Sequence, residues 1–128
     1  MNYQHKELAA GRWFRMNLIE QLANAGSEVE RALKWRDKGN RELSEQAVER
    51  ALELLTLTIT DPKHRTRLRE LTRVRETLAD FFLGDNQYGC TADSWRSYFG
   101  AFAYAVRVNN RPGNPDGTIN PGKALPDS

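Results

Sequence analysis

The stretch DPKHRTRLRELTRVRE, residues 61–76, sets Lys63, Arg65, Arg67, Arg69, Arg73 and Arg75 against Asp61, Glu70 and Glu76. Five of those six cations are arginine, whose planar guanidinium binds phosphate or carboxylate through two parallel hydrogen bonds. Arg65, Arg69 and Arg73 recur every four residues. On one helix they share a face and form a ladder about 12 Å long. Like charges at that spacing repel by a few tenths of a kcal/mol per pair, and cations near a helix start oppose its dipole. The row therefore asks for an anionic partner. Three sources stay open. A phosphate backbone, RNA or DNA, would be contacted by Lys63, Arg65, Arg67, Arg69 and Arg73. The acidic half of the preceding helix (Glu42, Glu45, Glu49, Glu53) would bring Glu49 and Glu45 toward Arg73 and Arg75 if the helices run antiparallel. The third source is the acidic face of another subunit or of a protein partner.

Other chemistry is thinly supplied. The two histidines are His5 and His64, and no Glu stands three residues before either. The Glu-x-x-His pattern of helical di-metal sites is thus missing. His64 also lacks the arginine that some helical-bundle ribonucleases place a few residues upstream of theirs. Cys90 is the one cysteine, so no disulfide forms within the chain. A helix N-terminus could lower its thiol pKa. His64, though, is expected at the far end of a helix about 30 Å long, which leaves Cys90 without a base. GDNQYG has no Lys-Ser/Thr pair to cradle phosphate. Asp80 and Asp85, with Asn86 and Tyr88, read either as an anion- or metal-handling group beside Trp95 or as turn chemistry. Turn chemistry is the preferred reading. No catalytic residue, metal or cofactor is expected.

The elements that position the basic row follow from apolar spacing. The 128 residues suit one domain. A first helix is predicted over residues 12–38, with the small residues Ala23, Ala25, Gly26 and Ser27 marking a close crossing or a break. DKGN stops it. A second helix, 41–60, carries two adjacent apolar stripes, which makes it central to the fold or buried in a homo-oligomer. A third is predicted over 62–83, with Asp61 as cap and Pro62 at the first position. A fourth covers 92–108, with Thr91 or Asp93 as cap, and carries most of the aromatic mass. Residues 1–11 read as a lead-in. Residues 109–128, with Pro112, Pro115, Pro121 and Pro126, read as a disordered or loosely docked tail. The expected fold is an all-α, up-down-up-down four-helix bundle.

Formal charge is +2 and hydrophobic residues make up 39%. The mild excess hides polarity, because residues 61–76 are net positive and residues 40–60 net negative. No run approaches the roughly 20 apolar residues of a membrane span, and the first residues lack a signal-peptide pattern. A cytoplasmic protein without membrane contact is expected.

EQLANAGSEVERALKWRDKGN, ALELLTLTITDPKHR and FFLGDNQYG carry a resemblance, over residues 13–106, to a group of small uncharacterised bacterial helical-bundle proteins. It transfers no catalytic residue. In architecture and charge the chain also resembles the four-helix-bundle accessory proteins of diversity-generating retroelements and their ribosomal-insertion relatives. That resemblance implies a ring-like oligomer that assists a reverse transcriptase by contacting protein and nucleic acid.

Overall fold

The computed structural model describes residues 11–109. The predicted lead-in, save Gly11, and the predicted tail, save Asn109, lie outside them. Four long helices form an up-down-up-down bundle: α1 (Leu18–Asp37), α2 (Arg41–Thr60), α3 (Leu68–Leu83) and α4 (Ala92–Asn109). No strand occurs among the described residues, and none of their helices is long and apolar enough to cross a membrane.

The first helix starts later than its apolar pattern suggests. Helical backbone ends at Trp13, and residues 14–16 turn. Asn17 then opens α1 with a reciprocal capping box: its side chain accepts from Glu20 N (2.9 Å), and Glu20 Oε1 accepts from Asn17 N (3.1 Å). This satisfies two otherwise orphaned amides and outcompetes a continuous helix through the turn. Trp13 instead folds back into the core, 5% exposed, and its indole N–H donates to Thr58 Oγ1 of α2 (3.0 Å).

Backbones approach closely at α1–α2, α1–α4 and α2–α3. At α1–α2 the small residues Ala32, Ser44 and Ala47 are buried, and Ser44 Oγ donates to the Ala32 carbonyl (2.9 Å). At α1–α4, Gly26 resolves the choice between crossing and break. α1 runs through it unbroken, and a Cβ there would stand 2.6 Å from Phe99 Cβ. The core gathers Leu22, Leu33, Leu55, Leu71, Leu78 and Phe102. Leu52, Leu54 and Ile59 of α2 pack against it, so the apolar breadth of α2 is largely taken up within one chain.

The fourth seam, α3–α4, is wider and is closed by long side chains. Phe81 meets Trp95 edge-on (6.3 Å between centroids), and Tyr98 Oη donates to Glu70 Oε2 (3.0 Å). Between these lies a groove of about 480 Å³ bordered by Arg73, Val74, Tyr88, Cys90, Trp95 and Tyr98.

The turns follow the residues that predicted them. Gly39 takes φ +78° after α1, and Asn40 caps α2 by accepting from Leu43 N (3.0 Å). Thr91 caps α4, its Oγ1 accepting from Ser94 N (3.0 Å) while Ser94 Oγ accepts from Thr91 N (2.9 Å). In the loop between, Asn86 adopts φ +52°. Its side chain donates to the Cys90 carbonyl (2.9 Å) and accepts from Cys90 N (3.0 Å).

Candidate functional site

The basic segment does not form one helix from Pro62. Residues Pro62–Arg67 make a 3-10 turn, and His64 leaves helical geometry altogether (φ −104°, ψ 21°). The reason lies in Asp61. Its Oδ1 accepts from Lys63 N (3.1 Å), as the capping expectation requires, and its Oδ2 accepts from Lys63 Nζ and from Gln21 Nε2 (3.1 Å). Gln21, fully buried on α1, also donates to the Trp13 carbonyl (2.8 Å). Its Oε1 is thereby left to accept from His64 Nε2 (2.6 Å), which assigns the proton of the neutral imidazole to Nε2. Lys63 Nζ reaches on to the Phe14 carbonyl (2.9 Å). The junction thus ties the N-terminal turn, α1 and the end of α2 together through buried polar groups.

Protonation follows from these contacts. Burial holds the His64 pKa below its ordinary value, and the cations of Lys63 and Arg67 push the same way against the opposing pull of Asp61. Burial alone would raise the Asp61 pKa, but the hydrogen bonds from Lys63 and Gln21 outweigh it and hold the carboxyl below the usual range.

The five predicted contact residues divide into three kinds. Lys63 is anchored at the junction. Arg67 is half-buried, with Nε and Nη2 both donating to Glu70 Oε1 (2.9 and 2.7 Å). Arg73 lies over the Tyr88 ring, 5.7 Å from its centroid. Arg65 and Arg69 are exposed, and their side chains have no hydrogen-bond or ion-pair partner among the described residues. The ladder is therefore broken: Arg65 belongs to the 3-10 turn, while Arg69 and Arg73 belong to α3.

Pairing between α2 and α3, one of the three open readings, does not occur among the described residues. Glu45 pairs with Arg41 one turn earlier on its own helix (3.0 Å), and Arg75 Nε donates to the Thr56 hydroxyl (2.8 Å). Glu70 is held by Arg67 and Tyr98, and no ion pair joins it to Arg73 among the described residues. The interhelical ion pairs run from α1 instead: Glu28 to Arg50 (3.2 Å), and Glu30 and Asp37 to Arg96 (3.0 and 3.8 Å).

Two cations join the site that the sequence pattern did not assign to it. Because Lys63 holds the Phe14 carbonyl, Arg12 and Arg15 come to the same end of the bundle. Both are exposed, and neither side chain has a partner among the described residues. The capping signature NLIE, residues 17–20, is the signal that could have revealed the turn.

The Asp80 region has a structural task. Asp80 Oδ2 accepts from Tyr88 N (3.1 Å), and its carbonyl accepts from Gly84 N and Asn86 N (3.0 and 3.1 Å). Asp85 is exposed. Burial and the Asp80 charge raise the Cys90 pKa, which keeps its thiol protonated at neutral pH. Burial, reinforced by Glu70, raises that of Tyr98. Trp95 Nε1 is buried without a hydrogen-bond partner among the described residues. Among the described residues no three His, Cys, Asp or Glu side chains gather as metal ligands. No protein-family model, no curated protein and no solved structure matches the chain.

Proposed function

We propose that this chain is a non-enzymatic helical bundle that binds RNA or DNA through its basic end, with Arg65 and Arg69 at the centre of the contact. One observation carries the reading: the side chains of these two arginines stand exposed and unpartnered among the described residues, while Lys63 before them and Arg67 between them are tied down. Arg12, Arg15 and Arg73 extend the positive surface on both sides. The nearby acids Asp61 and Glu70 are already engaged by cations, and Glu20 by the α1 cap. A polyanion gains from such a row by releasing its condensed counterions.

The test is binding of a labelled oligonucleotide across a salt series. Wild-type protein is expected to bind at low salt, with affinity falling linearly on a log–log plot. Arg65→Glu/Arg69→Glu should weaken binding and reduce the slope by about 1.8 on a DNA duplex, or about 1.4 on a single strand, if each arginine neutralises one phosphate. Equal affinity and slope in both proteins would refute the reading.

A second reading, contact with a protein partner or another copy of the chain, draws on the open α3–α4 seam. Its groove has room for a protruding side chain. Sedimentation velocity separates the two. An assembly that forms without nucleic acid and dissociates in the same double variant favours the second.

A further inference from the structure

The basic face has an aromatic ring at each margin. Phe14 is 39% exposed and Tyr88 is 52% exposed, whereas the large side chains of the core are almost fully covered. Neither ring hangs on a loose segment. The Phe14 carbonyl is held by Lys63, and the Tyr88 amide is held by Asp80 in a loop tied across by Asn86. Each ring is also set among cations: Phe14 between Arg12 and Arg15 in the chain, Tyr88 under Arg73. Beyond Arg73 the outer side of α3 turns acidic, at Glu76 and Asp80. The positive track therefore ends where Tyr88 stands.

Cations alone fit the outside of a duplex as well as they fit a single strand. Exposed rings add a preference. A duplex hides the faces of its bases in the stack, and a single strand offers them for stacking on aromatic side chains. Resting on the nucleic-acid reading above, we propose that the surface is specific for single-stranded nucleic acid. The strand's phosphates follow Arg65, Arg69 and Arg73, and its bases stack on Tyr88 at one end of the track and on Phe14 at the other.

Fluorescence anisotropy with a short labelled strand and with its duplex tests this, in parallel RNA and DNA arms. Tighter binding of either strand than of its own duplex is expected. Tyr88→Leu should weaken single-strand binding about tenfold while leaving the salt slope unchanged. Tyr88→Phe should bind as wild type, and Phe14→Leu should add a further loss. The rings are solvent-exposed, and thermal melting will show that each variant is folded. Duplex affinity equal to that of the single strand, or a Tyr88→Leu variant indistinguishable from wild type, would overturn the inference while leaving the parent reading intact. No binding of either form at low salt overturns both.

Discussion

The segment that joins α2 to α3 handles charge in two opposite ways within a few residues. Asp61 and His64 are buried, and Lys63 is tied to both Asp61 and the Phe14 carbonyl. Arg65 and Arg69, the next outward-facing cations, touch no charged group among the described residues. The first set shapes the chain. Its hydrogen bonds impose a 3-10 turn and turn the His64 imidazole inward, so α3 begins only at Leu68. The delay also relieves the dipole conflict for every cation of the row before Arg69. Lys63 and Arg65 precede the α-helix, and Arg67 at its N-cap is neutralised by Glu70 in the first turn. The second set contributes nothing evident to the fold. Charge buried and satisfied is structure. Charge left open beside it is available for a partner.

The sharpest way to break this contrast is at Gln21. Gln21→Leu keeps the volume nearly unchanged but strands the buried His64 N–H. It also removes one of two donors each from the Trp13 carbonyl, which keeps Met16 N, and from Asp61 Oδ2, which keeps Lys63 Nζ. Leaving buried polar groups unsatisfied costs about 1–3 kcal/mol each, with partial relief where water reaches them. A loss of about 2 kcal/mol in urea denaturation is expected. A loss under about 1 kcal/mol would mean that the junction is not a structural element.

That contrast was only half legible in the sequence. Asp61-Pro62 announced a helix start, and Asp61 does cap Lys63. The partner that makes the junction, Gln21, lies on another helix, 43 positions from His64. Nothing local marks a glutamine as buried, because burial is set by what packs over it. The apolar spacing of α2, α3 and α4 gave the bundle correctly, since each helix buries one stripe. The same spacing ran α1 too far back, because Trp13 and Met16 fit the period while the Asn17–Glu20 capping box ends it. The α3–α4 groove had no sequence signal. It arises from large side chains, Phe81, Trp95 and Tyr98, that hold two helices apart.

A second test addresses the opposite kind of contact, one with no charge at all. Gly26→Ala adds a methyl where Phe99 Cβ is 2.6 Å away. The better helix propensity of Ala returns up to about 1 kcal/mol, and overpacking costs about 1–3 kcal/mol. A net loss of about 1–2 kcal/mol is expected in thermal melting. An increase in stability would show that α4 can shift outward freely.

Next comes pH, which reads the junction and ignores the open row. His64 has a folded pKa below 6.5, so the unfolded chain binds the proton more readily. Stability from its neutral form is fully present above about 6.5 and is lost as pH falls from there toward the folded pKa. Asp61 acts lower down. Its contribution is present above 3.8 and disappears as pH falls through its depressed pKa. The urea midpoint should therefore fall between pH 7.5 and pH 5, and His64→Gln should flatten that slope. An identical slope in both proteins would remove His64 as the cause.

The smallest effect on stability is expected where the largest effect on binding is proposed. Arg65→Glu/Arg69→Glu removes two exposed cations that touch no charged group among the described residues. Residue 69 is the second position of α3, where a carboxylate is favoured by the helix dipole by about 0.3–1 kcal/mol. The double variant should thus unfold at the same denaturant concentration as wild type, or slightly higher, while its affinity for an oligonucleotide falls. Opposite signs on the two measurements are what an open, functional charge requires, because a residue kept for a partner has no duty to its own fold. If the variant instead loses more than about 1 kcal/mol, Arg65 and Arg69 have a partner within the protein. The distinction between buried and open charge would then collapse, and the nucleic-acid reading would lose its main support.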